Sequence, residues 1–433
     1  MVDRKPLPWG LVAVLLLQYV LEGRAREEQG IDQRTSSPGQ QAARFELRSG
    51  EGWRNPFPMY RALRDHDPVH LVEEGDYWVL SRFAEVFAAV TDATTFSSAS
   101  GLTVDYSEME ELGLEAPIVM MDPPAHNVVR KLGVKQFTPA RVRAIEELVR
   151  DLAVERIEKL REMGSGDIVA ELFKPIPSRV VGHFLGVPES VRERFDDWSE
   201  AIVAANAEGE IDRARDAVGE MFQLFSELIE RRRADPGDDL FSALVTAEVN
   251  GEPLSMAVVL GFGFTMVAGG NDTSTGLMAG AAELLTASPE QRRTLAADPS
   301  GLPAAVEEFL RLTSPVQGLA RTTTRDVQLC GRTIPEGRKV MLLYASANRD
   351  EREFGDDADH CDPCRSVARH LALGYGQHHC IGAAAARLMG RVALGELLAR
   401  CPDFSVDADA GRYAEGNYVR RFKTLPFEAR GQV

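Results

Sequence analysis

The sequence is poor in cysteine and in basic residues, and these shortages exclude several classes of protein. Its 433 residues include 5 cysteines, too few for a disulfide-stabilised scaffold and typical of a reducing compartment. It has 49 Lys and Arg against 66 Asp and Glu, so its net charge is −17 and the basic footprint of a nucleic-acid-binding protein is missing. We expect an acidic, cytoplasmic, globular protein that does not bind nucleic acid.

The sequence also has no apolar run long enough to cross a bilayer. The apolar stretch 9–21 has about 13 residues, whereas a spanning helix needs roughly 20. It resembles a signal-peptide core, but 22–26 offers no small-residue cleavage site. A misplaced start, a weak membrane tether and an ordinary helix packed on the body all stay open. Because 29–43 is polar and typical of a linker, we predict an N-terminal extension over 1–44 and one domain over 45–433.

Apolar periodicity predicts that this domain is mostly helical. With 44% apolar residues the chain can bury a sizeable core. A strand over 77–80 and a hairpin over 326–344, turning at 335–337, are expected. Helices are predicted over 82–90, 141–163, 191–206, 212–233, about 30 residues from near Ser255, and 382–400. The fold class is therefore mainly α with small β-sheets, without alternating βαβ units.

A glycine-rich loop that holds one cysteine is the strongest local signal. It reads HLALGYGQHHCIG from His370 to Gly382, and Cys380 stands just before a predicted helix. Glycine lets the backbone adopt positive φ and approach a flat ligand closely. At the start of a helix, free N–H groups and the helix dipole favour a thiolate. The loop indicates metal ligation by sulfur, although a glycine-rich turn with an incidental thiol is the alternative.

The predicted long helix breaks helix rules at its centre. Gly269 and Gly270 are adjacent, and each costs about 1 kcal/mol relative to alanine. Asp272 stands in an apolar run, where an unpaired carboxylate is expensive, and Thr273 follows it. Such violations often mark functional sites. The glycines could admit a bulky ligand and the acid–alcohol pair could relay protons; a polar kink is the alternative.

Two further pairs of side chains have helical spacing. Glu308 and Arg311, at i and i+3, lie in an apolar helix, although Glu-x-x-Arg also occurs at other places such as Glu51. His126 and Arg130, at i and i+4, could both reach one anionic group or could form a solvated basic face. Only their position in the chain gives these pairs weight.

In this order and spacing, the four features resemble the cytochrome P450 monooxygenases, heme-thiolate enzymes of the soluble bacterial type. The cysteine loop is similar to the family signature Phe-Gly-x-Gly-x-His-x-Cys-x-Gly, and the resemblance covers about residues 45–433. It implies a single-domain fold with heme b between the long helix and the cysteine loop. It also implies that Cys380 is the axial thiolate ligand of the iron, a ligand that favours O–O cleavage.

The resemblance implies roles for the remaining residues. Asp272 and Thr273 match the acid–alcohol pair that delivers protons for oxygen activation. Glycines 269 and 270 match the place where the helix lies against heme and O₂, and glycine 374 belongs to the signature loop. The matches to a buried structural triad are Glu308, Arg311 and Arg365. The matches to the positions that hold the heme propionates are His126, Arg130, Arg321 and His378.

Departures from the family pattern leave a rival open. Leu373 replaces the signature Phe, which puts the usual redox potential in doubt but not ligation. Cys361 replaces an aromatic residue and, with Cys364, makes a Cys-x-x-Cys pair. Together with His378, His379 and Cys380, this spacing is loosely like a zinc site in a non-catalytic binding protein. No Cys-x-x-Cys-His run exists, so a c-type heme is excluded.

The activity implied is insertion of one atom of O₂ into a lipophilic substrate of terpenoid, steroid or fatty-acyl type. The substrate is expected to meet 102–121, 316–320, 417–419, Thr265 and Ala268. No flavin- or ferredoxin-like region is present, so a separate ferredoxin and ferredoxin reductase should supply electrons to a monomer. The expected docking residues are Lys131, Arg369, Arg387 and Arg391. A peroxide-using heme-thiolate protein is the alternative, against which the Asp272–Thr273 pair argues.

Overall fold

Helices dominate the computed structural model, which describes residues 44–106, 116–191, 198, 211–249 and 251–429, with only the backbone over 211–218. The α-helices are α1 (Phe57–His66), α2 (Phe83–Thr91), α3 (Ala125–Val134), α4 (Pro139–Ala144), α5 (Glu146–Met163), α6 (Pro175–Leu185), α7 (Ile211–Ala234), α8 (Leu240–Val245), α9 (Met256–Ala287), α10 (Pro289–Ala297), α11 (Leu302–Thr313), α12 (Tyr344–Ala347), α13 (Glu351–Phe354) and α14 (Ala383–Arg400). A π-helical turn covers Val169–Phe173. The predicted fold class, mainly α with small sheets, is confirmed.

Short strands make small sheets at the edge of the helical body. They are β1 (Val69–Val72), β2 (Tyr77–Leu80), β3 (Phe96–Ser97), β4 (Ser165–Asp167), β5 (Glu248–Val249), β6 (Glu252–Pro253), β7 (Leu319–Thr323), β8 (Val327–Leu329), β9 (Arg332–Ile334), β10 (Lys339–Leu342), β11 (Ser405–Val406), β12 (Arg412–Tyr413), β13 (Phe422–Thr424) and β14 (Pro426–Glu428). The largest has the order β1-β2-β10-β7-β3, in which only β2 and β10 pair in parallel. A second sheet has the order β11-β14-β4.

Most elements with strong periodicity lie where the sequence predicts them. The strand 77–80 has its predicted bounds, and the helices predicted over 82–90, 212–233 and 382–400 are α2, α7 and α14, each shifted by at most one residue at an end. The predicted long helix is α9, whose N-cap Ser255 accepts a hydrogen bond from the Val258 N–H. The helix predicted over 191–206 lies, apart from residues 191 and 198, outside the described residues.

Two predictions of local structure were wrong. The helix predicted over 141–163 is broken at Ile145, whose ψ of 3° leaves the helical range and whose side chain is buried in the core. The hairpin turns at Cys330 and Gly331, which have φ of 49° and 76°, and not at 335–337. Positive φ at both central residues suits a tight two-residue hairpin. Strand β10 instead leaves for the large sheet, where it pairs with β7.

The core forms around α9 because this helix is apolar on most of its circumference, and such helices are buried. It packs against α6, α11 and α14. The largest hydrophobic cluster joins buried residues of these helices, among them Val181, Leu277, Leu310 and Leu394. The helix thus separates α6 from the segments that follow α11, and the cysteine loop leads into α14 on its other side.

The predicted N-terminal extension lies outside the described residues except for Arg44, so its boundary stays a prediction. The part of the chain that the structure describes has no helix with the length and apolarity to cross a membrane.

Two glycines of α9 provide a matched test of this packing. A Cβ on Gly263 would lie 2.9 Å from Phe241 and 3.1 Å from Phe225, whose rings are fully buried, whereas a Cβ on Gly261 would meet nothing within 4 Å. We expect Gly261→Ala to raise the free energy of unfolding by about 1 kcal/mol through helix propensity. Gly263→Ala should lower it by about 1–3 kcal/mol through overpacking. Denaturant unfolding at equal cofactor loading measures both; equal effects would contradict the packing described.

Candidate active site

A cavity between α9 and the cysteine loop collects most of the residues that the sequence singled out. It contains about 1630 Å³ not filled by protein atoms, including the part open to solvent. Its wall includes these predicted residues: Cys380, His126, Arg130, Arg321, His378, Gly269, Gly270, Gly374 and Thr273. The other four, Asp272, Glu308, Arg311 and Arg365, do not line it.

The cysteine loop is folded by glycines and by one backbone hydrogen bond. Gly374 and Gly376 have φ of 64° and 67°, in the left-handed region that favours glycine. A Cβ on Gly376 would lie 3.1 Å from the Val90 carbonyl oxygen, so the loop lies closely against α2. The Cys380 N–H donates to the Leu373 carbonyl at 2.8 Å, which closes the loop before α14 begins. The Leu373 side chain thus lies next to the cysteine, where the family signature has Phe.

Burial controls the Cys380 thiol in the protein itself. It raises the pKa of Cys380, while a hydrogen bond from the Gly382 backbone and the charges of Arg130 and Arg387 act in the opposite direction. The helix start therefore stabilises the thiolate, as the sequence indicates, but by less than burial destabilises it. A cation bound at the sulfur would reverse this balance, because metal coordination deprotonates a thiol.

Four basic side chains line the cavity without a carboxylate to balance them. Arg321 is 6% exposed and donates to the Ala320 carbonyl, and Arg130 donates to the His379 carbonyl. Neither arginine forms an ion pair within the described residues, although an unpaired buried charge is costly. His126 is buried and its Nε2 has no hydrogen-bond partner among them. Burial and neighbouring cations lower the pKa of His378 to about 3, so this ring is neutral.

The two glycines of α9 have different surroundings. Both line the cavity, but a Cβ on Gly270 would lie 2.7 Å from Val181 of α6, whereas one on Gly269 would meet nothing within 4 Å. Gly270 therefore also serves helix packing. The Thr273 hydroxyl, on the cavity wall, donates to the Gly269 carbonyl at 2.7 Å. The backbone is helical throughout, and the predicted alternative of a kinked helix is not seen.

Asp272 and Thr273 point in different directions, so the predicted pair does not meet in the cavity. Consecutive residues of a helix are about 100° apart and do not share a face. Asp272 Oδ2 instead lies 3.0 Å from Nε of Arg421, which directly precedes β13. Sequence reasoning missed Arg421. The signal for it was the rule that a carboxylate in an apolar helix needs a cation, but nothing local said which cation.

The Glu308–Arg311 pair is completely buried, unlike other Glu-x-x-Arg pairs of the chain. Both side chains are 0% exposed and two hydrogen bonds of 2.7 Å join them. Arg365 Nε adds a third contact to Glu308 at 3.2 Å and also pairs with Asp357. The side chains of Glu51 and its partner, by contrast, are 57% and 38% exposed. The structure thus brings the three predicted residues together, below the cavity and not on its wall.

The zinc alternative does not agree with the structure. The five residues concerned all lie in the described part of the chain, where no group of three or more His, Cys, Asp and Glu side chains could hold a metal ion. Burial raises the pKa of Cys361 to about 12, which disfavours the thiolate that zinc would need. All five cysteines are free.

The side of the cavity expected to meet substrate is apolar. Of the predicted contacts, the wall includes Leu102, Ile118, Val119, Thr265, Val316 and Leu319. It does not include Ala268 or 417–419; Val419 instead bridges to Val316 and supports the wall from behind. Sequence reasoning missed a set of apolar wall residues from three segments, namely Phe137, Val180, Val181, Phe184 and Phe262. Their apolar pattern alone did not distinguish cavity from core.

Comparisons with known proteins agree with this geometry. The family model of cytochrome P450 matches residues 301–411. Cytochrome P450 130 of Mycobacterium tuberculosis is 56% identical over 88% of this chain and 97% of its own length. The vitamin D(3) 25-hydroxylase of Pseudonocardia autotrophica is 35% identical over 88% and 95%. The structure of Mycobacterium marinum cytochrome P450 CYP268A2 in complex with pseudoionone is 32% identical, with a TM-score of 0.80 over 87% of this chain and 96% of that one.

Similarity of this extent includes the helices, the sheets and the cysteine loop together. The chain therefore belongs to the cytochrome P450 family, is an oxidoreductase of the monooxygenase type and has heme b as its cofactor.

Proposed function

We propose that this monooxygenase oxidises a lipophilic substrate with Cys380 as the axial ligand of its heme. One observation carries the proposal: a single cavity has a buried cysteine on its wall together with two arginines that have no carboxylate partner among the described residues. Heme b has one iron that accepts a thiolate and two propionates that need cations, so this donor set fits it. Arg130 and Arg321 would hold the propionates, with His126 and His378 as neutral hydrogen-bonding partners.

When bound, heme b supplies the oxygen activation that amino-acid side chains lack. The chain's own residues would supply protons. Asp272 has a side chain that is 24% exposed, so it can take up a proton from solvent. Thr273 donates its own hydroxyl proton to the Gly269 carbonyl, which leaves its oxygen free to accept a proton inside the cavity. Asp272 and Thr273 are the proposed catalytic pair, while Glu308, Arg311 and Arg365 are structural.

The proposed substrate is a terpenoid, steroid or fatty-acyl compound. The wall has no carboxylate among its described residues, its basic groups are assigned to the propionates, and its remaining side chains are mostly apolar. The vitamin D(3) 25-hydroxylase and the pseudoionone complex act on or hold largely hydrocarbon molecules, which supports the same class. A turnover screen that preferred a small polar substrate would overturn this part.

The proposed electron donor is a ferredoxin with its reductase, docking beside the cysteine loop. Of the expected contacts, Arg369, Arg387 and Arg391 each pair with a glutamate of this chain. Lys131 is exposed, has no ion pair within the described residues and directly follows Arg130, which bonds to the loop. Lys131 is therefore the cation best placed to attract an acidic partner. The expected monomeric state stays a prediction.

The ligation proposal is tested by the absorption difference spectrum of the dithionite-reduced protein with and without carbon monoxide. We expect the red-shifted Soret band that gives the family its name in wild type and its loss in Cys380→Ser, because serine does not supply a thiolate. Cys364→Ser, which changes an exposed cysteine, is the control and should keep the band. A wild-type spectrum without the shift would refute thiolate ligation and make Leu373 the first suspect.

Removal of a proposed propionate partner should loosen the heme. We expect Arg321→Gln to speed heme transfer to excess apomyoglobin about tenfold to a hundredfold, since hydrogen bonds to charged groups contribute about 1.5–3 kcal/mol. Arg325→Gln is the matched control, because that side chain is 71% exposed on the same segment. Equal transfer rates for the two variants would contradict the assignment of Arg321.

Electrostatic docking should make electron transfer depend on salt. With a reduced plant-type [2Fe–2S] ferredoxin as donor, the stopped-flow rate of heme reduction should fall as ionic strength rises. Lys131→Gln should lower the low-salt rate about two- to fivefold, as expected for an exposed charge pair. Lys159→Gln, which removes a lysine paired with Glu171, controls for net charge. Equal losses in both variants would mean that net charge, and not the surface near the loop, governs docking.

A further inference from the structure

The carboxylate proposed to carry protons has a cation partner from the far end of the chain. Arg421 Nε lies 3.0 Å from Asp272 Oδ2, and the arginine side chain is only 8% exposed. Within the described residues, neither side chain has another ion-pair partner. The contact is therefore selective, and it joins the C-terminal segment to the middle of α9.

The segment that carries Arg421 lies in a closely fitted position on α9. One turn after Asp272 stands Gly276, where a Cβ would lie 3.1 Å from the Arg420 carbonyl oxygen and 3.3 Å from Arg421 Cβ. The Arg420 N–H donates to the Pro315 carbonyl and its Nε to the Trp53 carbonyl, both at 2.8 Å. A fixed backbone and a helix without a side chain at the contact thus hold Arg421 against Asp272.

The ion pair lies off the cavity wall, on a flank of α9 that solvent reaches. Thr273, the next residue, lines the cavity, while Asp272 and Arg421 do not. The Asp272 side chain is nevertheless 24% exposed, so it can exchange protons with solvent. A carboxylate held in this way can be loaded with a proton but does not face the place where the proton is used.

We infer that Arg421 is a positioning residue that holds the charged Asp272 side chain off the cavity and releases it once it is protonated. This inference rests on the proposed role of Asp272 as proton carrier. It makes release depend on loading, because a carboxylate attracts a guanidinium through a charge-assisted hydrogen bond and a neutral carboxylic acid loses that attraction.

The proton balance of such a cycle is simple. Asp272 takes one proton from solvent, leaves Arg421, and gives the proton to an acceptor at the Thr273 hydroxyl; the carboxylate that remains is again charged and returns to the guanidinium. Without Arg421 the side chain is free to enter the cavity at any time. Protons and electrons would then combine with O₂ too early, and O₂ plus two electrons and two protons leaves as hydrogen peroxide.

A purely structural ion pair is the competing explanation, and half-exposed pairs add little to stability. The chain offers a matched control on the same two elements. Arg420, beside Arg421, lies 3.9 Å from Glu283, which is also on α9 but far from Thr273 along the helix. Glu283→Gln breaks a contact between the same segments without touching the proposed proton carrier.

The test compares Arg421→Gln, Arg421→Lys, Asp272→Asn, the Arg421→Gln/Asp272→Asn double variant and Glu283→Gln as heme-loaded enzymes. Reduced plant-type ferredoxin drives O₂ consumption without added substrate, and hydrogen peroxide is measured per O₂ consumed. We expect a rise of about threefold in Arg421→Gln and none in the double variant, because coupled residues give non-additive effects. Arg421→Lys, which keeps the charge, should stay close to wild type, as should Glu283→Gln.

Crystal structures of wild type and Arg421→Gln provide a readout apart from activity. We expect the Asp272 carboxylate on the outer flank of α9 in wild type and turned towards the cavity in Arg421→Gln. The same side-chain position in both, or the same peroxide increase with and without Asp272, would overturn the inference.

The outcomes separate this inference from the function on which it rests. Asp272→Asn alone should slow O₂ consumption about tenfold or more if Asp272 carries protons. An unchanged rate would refute the role of Asp272 itself. A slowed rate in Asp272→Asn together with wild-type behaviour of Arg421→Gln would refute only the role of Arg421.

Discussion

The buried ion pair of Glu308 and Arg311 is the interaction on which the site depends. Both side chains are fully buried, and Arg311 also donates to the carbonyls of Asn348 and Ala358, each at 2.7 Å. Asn348 in turn accepts from the Leu371 N–H at 2.7 Å, where the cysteine loop begins. A chain of hydrogen bonds therefore runs from α11 to the loop that holds Cys380. Loss of either charge would leave the other buried and unpaired, which typically costs about 3–5 kcal/mol.

The cavity has the opposite electrostatic character to the rest of the protein. The chain as a whole has a net charge of −17, and many arginines on its surface pair with nearby glutamates or aspartates. Arg130 and Arg321 are not paired in this way within the described residues, although both line a cavity. Burying them would destabilise the protein without a ligand, and an anionic cofactor removes this cost. Cofactor binding and folding stability are thus expected to be linked.

Helix α9 distributes its polar residues by simple helical geometry. Thr273 lines the cavity, Gly270 admits Val181 of α6, and Gly276 admits the segment that carries Arg421. Each departure from good helix-forming sequence therefore corresponds to one neighbour. The proposed proton carrier Asp272 lies between these faces, next to the cavity in sequence but outside it in space. This position is what allows a residue of the C-terminal segment to influence chemistry at the centre of the fold.

The sequence by itself determined the features that depend on local chemistry. The cysteine loop, the bounds of α9 and β2, and the burial expected for Glu308 all follow from patterns within a few residues, because helix caps, glycine turns and apolar periodicity act over that range. Only the tertiary structure decided the direction of Asp272, its pairing with Arg421, the break at Ile145 and the cavity face of α6. These depend on which segments pack together, and apolar residues that line a cavity have the same pattern as residues that fill a core. A single sequence does not state which distant arginine will meet a buried carboxylate, since that choice is made by the packing of the whole chain.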